Sequence, residues 1–321
     1  MKRSLSLGVL TLGVALLVIA VFQPVEHTAT LAFTGDVMLG RYVAQSNAPG
    51  GWDDTLSALT PCTSAADIAF ANLESPLTTA PLVEDALDLR APQEASQALQ
   101  ASHFDLVSLA NNHAFDAGNQ GLHDTQQALI KVGIQPIGPG EEPWVTQVNG
   151  LILVWFAFDD ISAPLNMEIV QEALETYRSD ADLIIVSIHW GSELNSAPNH
   201  RQRSLASGLA AAGADLIVGH HPHVLQPVEW ILGSKRERST LVAFSLGNAL
   251  FDQAAPPAVR YGAMLLVDVG SSGVKNVCAF PTQVDPRTWR VVPASPSAIE
   301  AIKRNLGLDC ILPPTCQVEE Q

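Results

Sequence analysis

Short apolar runs alternate along this chain with segments whose apolar residues recur at helical spacing. The runs LAFTG, DIAFAN and FDLVSLAN are followed by helix-like segments near Asp54–Leu59, Pro92–Ala101 and Gly118–Lys131. That alternation predicts an α/β core. Trp144–Val148 and the run LILVWFAF flank Asn149-Gly150, a dipeptide suited to the tight primed turn of a hairpin. A helix over Met167–Arg178, the buried strand DLIIVSIHW, a helix over Arg201–Ala212 stopping at Gly213 and the strand DLIVGHH continue the series. VLQPVEWIL and STLVAFSLGN flank a turn at Gly233-Ser234, and YGAMLLVDVG and VKNVCAF extend the β pattern. Beyond Pro281 one helix, Pro296–Asn305, precedes a tail carrying prolines and cysteines.

The amino terminus breaks this pattern. After Lys2-Arg3 comes an uncharged run, Leu5 to Phe22, long enough to be either a long signal-peptide core or a helix that spans a bilayer, which needs about 17–25 residues. The expected organisation is therefore a signal peptide or membrane anchor at 1–23, a linker at 24–30, one domain at 31–285 and a C-terminal extension at 286–321. Under either reading of 1–23 the rest of the chain is exported, anchored at the membrane or free in the periplasmic or extracellular space.

Charge narrows the partners. With 17 basic against 33 acidic residues the net charge is −16, which repels nucleic acid and anionic membranes at long range. An anionic substrate would need local positive charge, from a metal or from placed arginines. The four cysteines, Cys62, Cys278, Cys310 and Cys316, suit disulfides in an exported chain, with three pairings open. The local option joins Cys310 to Cys316.

The chemistry sits where the apolar strands end. Asp36, Glu74, the Asn111-Asn112-His113 triplet, His189 and the cluster His220-His221-Pro222-His223 each close such a run. In open α/β sheets the carboxyl ends of strands share one edge, so residues distant in sequence converge there. Alone, Asp36 or Asn111-Asn112 would be turn residues and His189 a core histidine; together they make a metal site. Carboxylates, imidazoles and an amide oxygen suit Mn²⁺, Fe, Zn²⁺ or Mg²⁺, without the thiolates of structural zinc sites. A carboxylate bridging two ions about 3.5–4 Å apart can clamp a transition state, and Glu74 is placed to be that bridge.

The blocks TGDVMLGR, ANLESPLT, SLANNHAFDAG, IHWGSE, GADLIVGHHPHVLQPVE and FSLGNALFDQ, spanning Thr34 to Gln253, resemble the CapA/PgsA family of poly-γ-glutamate capsule synthesis, itself similar to calcineurin-like metallophosphatases. The resemblance implies a four-layer α-β-β-α arrangement of two packed sheets flanked by helices. Residue by residue it implies Asp36 on a first ion, Glu74 bridging, Asn112, His189 and His221 on a second ion, and His223 on the first. His113 would act in catalysis with Asp116 orienting it. Arg41 and Arg90 lie in or beside these blocks and could hold a carboxylate or phosphate. Glu193 is either a substrate contact or a support for a ligand, and His220 and Asn248 are expected to back the ligands. The sequence departs from the metallophosphatase pattern at Met38, where Asp-x-His would supply a histidine, and at Glu74, where the bridging acid is usually Asp. One ion or two are therefore both open.

The implied function is synthesis, export or processing of an extracellular anionic polymer, with poly-γ-glutamate the family-implied candidate, through a metal-dependent hydrolase or transferase site. Two alternatives are a non-catalytic accessory subunit of a membrane polymer synthetase and a metal-dependent phosphoesterase.

Overall fold

The computed structural model describes residues 26–83, 86–140, 142–232, 238–313 and 315–316. The apolar segment at 1–23 and the turn at Gly233-Ser234 lie outside the described residues. The first sheet is begun by β1 (Thr28–Val37), buried from Leu31 onward, as a strand covered on both faces must be. Helices α1 (Arg41–Asn47) and α2 (Thr60–Thr63) lead to β2 (Ile68–Leu73), parallel to β1 with Phe33 opposite Phe70. Then α3 (Ser96–Ala101), β3 (Leu106–Ser108), α4 (Gly118–Lys131) and β4 (Gln135–Ile137) extend the parallel order by two strands. The segment expected to be helical at Asp54–Leu59 forms only a 3₁₀ turn at Ser57–Leu59, and α2 follows it with Pro61 in its first turn, where a missing N–H costs little. Helix α3 likewise opens on a 3₁₀ turn, Gln93–Ala95.

The second sheet starts with the expected hairpin, β5 (Trp144–Val148) and β6 (Leu151–Asp159), joined by Asn149 and Gly150 at φ 49° and 87°. It continues through α5 (Met167–Arg178), β7 (Leu183–His189), α6 (His200–Ala212), β8 (Leu216–His220), β9 (Leu225–Leu232) and β10 (Ser239–Leu246), in the order β5-β6-β7-β8-β10-β9. The limits of α5 and α6 are written in their caps. Asn166 accepts from the Glu168 amide, Asn199 and Gln202 form a reciprocal capping box, and Gly213 ends α6 at φ 107°.

The chain then returns to the first sheet. β11 (Asn248–Leu250) pairs with the end of β1, and β12 (Tyr261–Gly270), β13 (Gly273–Asp285) and β14 (Arg290–Pro293) complete the order β14-β13-β12-β1-β2-β3-β4. Between the sheets Leu31, Phe33, Phe70 and Leu106 meet Leu153, Trp155, Ile185 and Val218, with Trp155 5.6 Å from the Phe33 ring and 5.9 Å from that of Phe70. Residues of α3 and α4 bury the outer face of one sheet and those of α5 and α6 the other, which gives the expected four layers.

Two sequence-based boundaries change, and the cysteine pairing is decided. Thr28, Ala29 and Thr30, assigned to the linker, pair with Gly270, Val269 and Asp268 and so belong to the sheet. The segment from 286 is not an appendage: β14 pairs with β13, and α7 (Pro296–Leu306) buries Ala298, Ile302 and Leu306 in the inter-sheet core. The cysteines pair as Cys62–Cys316 and Cys278–Cys310, not as the local Cys310–Cys316 loop. The reason is backbone pairing. Ala279 donates to Cys310 O and accepts from Leu312 N, which lays the tail beside β13 and sets Cys310 against Cys278.

Candidate functional site

The carboxyl ends of β1, β2, β3, β7 and β8 deliver Asp36, Glu74, the 111–113 turn, His189 and the 220–223 loop to one edge, as parallel strands require. Asp36 is fully buried and well partnered. Asn72 Nδ2 donates to its Oδ1 at 2.9 Å, the His221 amide donates to Oδ2 at 3.2 Å, and His220 Nδ1 and His223 Nδ1 lie at 3.4 and 3.3 Å. Burial opposes its charge, but the His220 and His223 rings outweigh that and hold the carboxyl well below the usual range. Glu74 moves the other way: burial first, then the Asp36 charge, pushes it well above that range. Two carboxyls in one pocket are thus driven apart.

The histidines differ as well. Burial drives His189 well below its ordinary value, and burial together with the His223 charge lowers His221, so both are held neutral, the form that binds metals. His223 is pushed up to about 9, because Glu74 and Asp36 outweigh a burial penalty that acts in the opposite direction. Its tautomer follows from Asn248. That amide donates to Val259 O at 2.9 Å and to Gln253 Oε1 at 3.1 Å, so its oxygen faces His223 Nδ1 at 2.9 Å and Nδ1 carries the hydrogen. Nε2, 3.9 Å from Glu74 Oε2, holds the proton that a bound metal would displace, and is the ligand-capable atom once it is lost. His221 and His223 adopt φ 96° and 56°, an unfavourable region for side chains of this kind, sustained by the contacts of their loop.

A divalent ion fits these residues. Among the described residues Glu74 Oε2, His189 Nε2, His221 Nδ1 and Asn112 Oδ1 are all buried without a hydrogen-bond partner, whereas buried polar atoms are normally paired. Ligand-capable atoms fall into two groups, Asp36/Glu74/His189 and Glu193/His221/His223, each within 4.8 Å of one another. This grouping puts His221 and His223 together, where the resemblance would divide them between ions. Met38 does not join either group. It is completely buried in the outer core, and its Sδ accepts from the Gly40 amide at 3.0 Å.

Around this centre, His113 Nδ1 lies 2.8 Å from Asp116 Oδ2, the expected orienting contact, and Asn112 Nδ2 lies 3.1 Å from His113 Nε2, which leaves the Asn112 oxygen free to bind. Among the described residues neither ring nitrogen of His220 has a hydrogen-bond partner; Nδ1 approaches Asp36 Oδ1 to 3.4 Å as a charge neighbour, and the ring packs on Phe70. It is a neighbour of Asp36. Arg41 reaches Asp252 Oδ2 at 3.2 Å, while Arg90 turns its fork onto Asp88 and the Ala80 carbonyl and so leaves the anion clamp expected of it.

One site residue, Asn72, escapes the sequence pattern, and Asn111, read there as part of its triplet, takes a supporting place. Asn72 is fully buried, donates to Asp36, and lies 3.3 Å from Glu74 Oε1 and 3.4 Å from His189 Nδ1. Asn111 donates to Asn72 Oδ1 at 3.2 Å and to Leu73 O at 2.9 Å, which ties the turn after β3 to β2. The available signal was strand period: Asn72 stands two residues before Glu74, on the same face.

The residues of this centre lie within a stretch that matches a known family. The family model described as bacterial capsule synthesis protein PGA_cap matches residues 30–253. The chain is 34% identical over 251 residues to the PGA biosynthesis protein CapA of Bacillus subtilis, covering 71% of this chain and 64% of that protein. It is 31% identical over 266 residues to the capsule biosynthesis protein CapA of Bacillus anthracis, covering 72% and 62%. The chain thus spans less than two thirds of the length of these relatives. A crystal structure from Mycoplasma pneumoniae, described as a novel phosphatase, superposes with a TM-score of 0.52 at 13% identity over 87% of this chain and 99% of that one, a likeness of fold. Because the family model matches well over half of the sequence, across residues 30–253, the chain belongs to the bacterial capsule synthesis protein PGA_cap family.

Proposed function

We propose that this protein acts outside the cytoplasm on poly-γ-glutamate or its precursor, as a metal-dependent hydrolase or transferase in making, exporting or trimming the polymer. Membership of a family named for capsule synthesis supports the polymer, and the unpartnered buried ligand atoms carry the chemistry. Asp36, Glu74, Asn112, His189, His221 and His223 would hold Mn²⁺, Zn²⁺, Fe²⁺ or Mg²⁺. Such an ion polarises a carbonyl or phosphoryl oxygen and supplies positive charge that a chain of net charge −16 otherwise lacks for a polyanion. Asp116 fixes the Nδ1–H tautomer of His113 and supports its imidazolium, so that Nε2 is the atom that gives or takes a proton at the leaving group.

The test is chain-length analysis of poly-γ-glutamate incubated with Mn²⁺- or Zn²⁺-loaded protein, beside a model phosphodiester. Polymer shortening or transfer that falls about 10²–10⁴-fold in His113→Ala, with metal content intact, supports the reading. Turnover of the phosphodiester alone would make the protein a phosphoesterase instead. A second reading is favoured by Met38. Its side chain is spent on the core, and a protein that retains metal yet turns over neither substrate would be an accessory subunit that positions polymer for a membrane synthetase.

A further inference from the structure

The loop after β7 carries a carboxylate that the sequence pattern leaves without a definite role. Glu193 is exposed, and among the described residues it makes no hydrogen bond or ion pair, yet its carboxylate lies within 4.8 Å of ring nitrogens of His221 and His223. We infer that Glu193 is a metal ligand, completing with His221 and His223 a second cation position that stands in for the histidine absent at Met38.

Three observations converge on this. First, position 38 is closed to a ligand, because its side chain is fully buried among Leu39, Val43 and Leu77 in the outer core. Second, the Glu193 loop is built against the histidine loop. Leu194 N donates to Pro222 O at 2.9 Å, the carbonyl of the residue between the two histidines. Behind that contact Gln202 Nε2 donates to Gln226 Oε1 at 2.8 Å, and Gln226 Nε2 donates to Asn195 O at 2.7 Å. Both glutamines are buried, and a Cβ on Gly191 would fall 2.7 Å from the Gln202 amide carbon, so the loop sits in one place. Third, His221 Nδ1 is a buried ring nitrogen with no hydrogen-bond partner among the described residues, whereas buried polar atoms are normally paired.

Two imidazoles and one carboxylate form a three-ligand set with an open position, the arrangement of catalytic zinc sites, and one that also suits Mn²⁺ and Fe²⁺. Glu193 is the exposed member and both histidines are buried, so the three-residue set lies at the border between protein and solvent, where a polymer could approach. The inference rests on the metal-centre part of the proposed function and is independent of the polymer.

The experiment strips the full chain of metal with chelator and titrates it with Mn²⁺ by electron paramagnetic resonance and with Zn²⁺ by calorimetry, with metal per chain counted by elemental analysis. Glu193→Gln keeps the shape of an exposed side chain, so folding is preserved. It is expected to lose one class of bound ion, with affinity weakened beyond the ~10–100-fold that loss of a supporting residue costs. His189→Ala should weaken the other class and leave the Glu193-dependent ion in place. Wild-type stoichiometry and affinity in Glu193→Gln overturn the inference and leave the proposed function standing. Loss of an ion in Glu193→Gln, with no action of the wild type on poly-γ-glutamate, supports the inference and overturns the function instead. A wild type that binds neither ion overturns both.

Discussion

Asn72 offers the sharpest test of how the centre is assembled. It is completely buried and joins three strands, donating to Asp36 Oδ1 at 2.9 Å, accepting from Asn111 Nδ2 at 3.2 Å and lying 3.4 Å from His189 Nδ1. Replacement by leucine keeps the volume close, so the cavity contribution is small. What is lost is polar. The donor to the Asp36 carboxylate is charge-assisted, worth about 1.5–3 kcal/mol, and the Asn111 amide loses one of its two acceptors, worth about 1 kcal/mol. The sum is roughly 3 kcal/mol, which at about 1.5–2 °C per kcal/mol for a chain of more than 250 residues predicts a melting temperature lowered by roughly 5–6 °C. Metal affinity should fall as well, by about 10–100-fold, since Asp36 and His189 lose a common support. Thermal melts followed by circular dichroism in chelator, then calorimetric titration with Mn²⁺, measure both. A variant that melts within about 2 °C of wild type and binds Mn²⁺ equally well would refute Asn72 as the hub of the centre, since both figures derive from its hydrogen bonds.

Three further outcomes are expected. In metal-free protein the buried, neutral His189 and His221 favour uptake of protons by the unfolded chain, so stability is lost as pH falls below about 6.5. His223, pushed up to about 9, stabilises fully below about pH 6.5 and loses that contribution as pH rises to about 9, while the raised Glu74 destabilises progressively above about 4.5. Melting temperature in chelator should therefore peak near pH 6–7, and a steady rise to pH 9 would contradict these assignments. Gly35→Ala places a Cβ 2.0 Å from the Gly247 carbonyl oxygen, which accepts from the Asp36 amide; insoluble protein or abolished metal binding is expected, and normal binding would show that β1 and β11 can separate without cost. Cys316→Ala opens the bridge to Cys62 across 254 residues of sequence and should lower stability by about 2–4 kcal/mol in guanidinium melts, with no change in metal affinity.

Much of the fold can be read in the sequence because its punctuation is local. Asn166, Asn199 with Gln202, and Gly213 set helix ends by hydrogen bonds to their own neighbours, and Asn149-Gly150 sets a hairpin by its own dihedrals. The ligand series is legible because each member closes an apolar run. What escapes is whatever a partner element decides. Asn72 looks like strand filling until Asn111 and Asp36 are brought beside it, and Arg90 looks available until Asp88 folds back onto it. The cysteine pairing depends on the tail running along β13, a choice made by Ala279 and not by any spacing among the cysteines. Likewise the stretch at 54–59 has apolar residues enough for a helix, but Pro61 begins a new one and leaves room for a single 3₁₀ turn.

β1 runs the length of the molecule in a single direction. Thr28 pairs with Gly270 at one end, next to His27 and its contact with the Asn149 carbonyl, and Asp36 stands at the other, roughly 25 Å away at about 3.3 Å per residue. Glu26, just ahead of β1, therefore lies at the end of the strand away from the metal centre. Immobilisation through that end would leave the centre open to a long polymer, whereas a linkage made near Glu193 or Asp252 would cover it. A surface-coupled protein oriented each way thus becomes a direct probe of which pole a bulky substrate must reach.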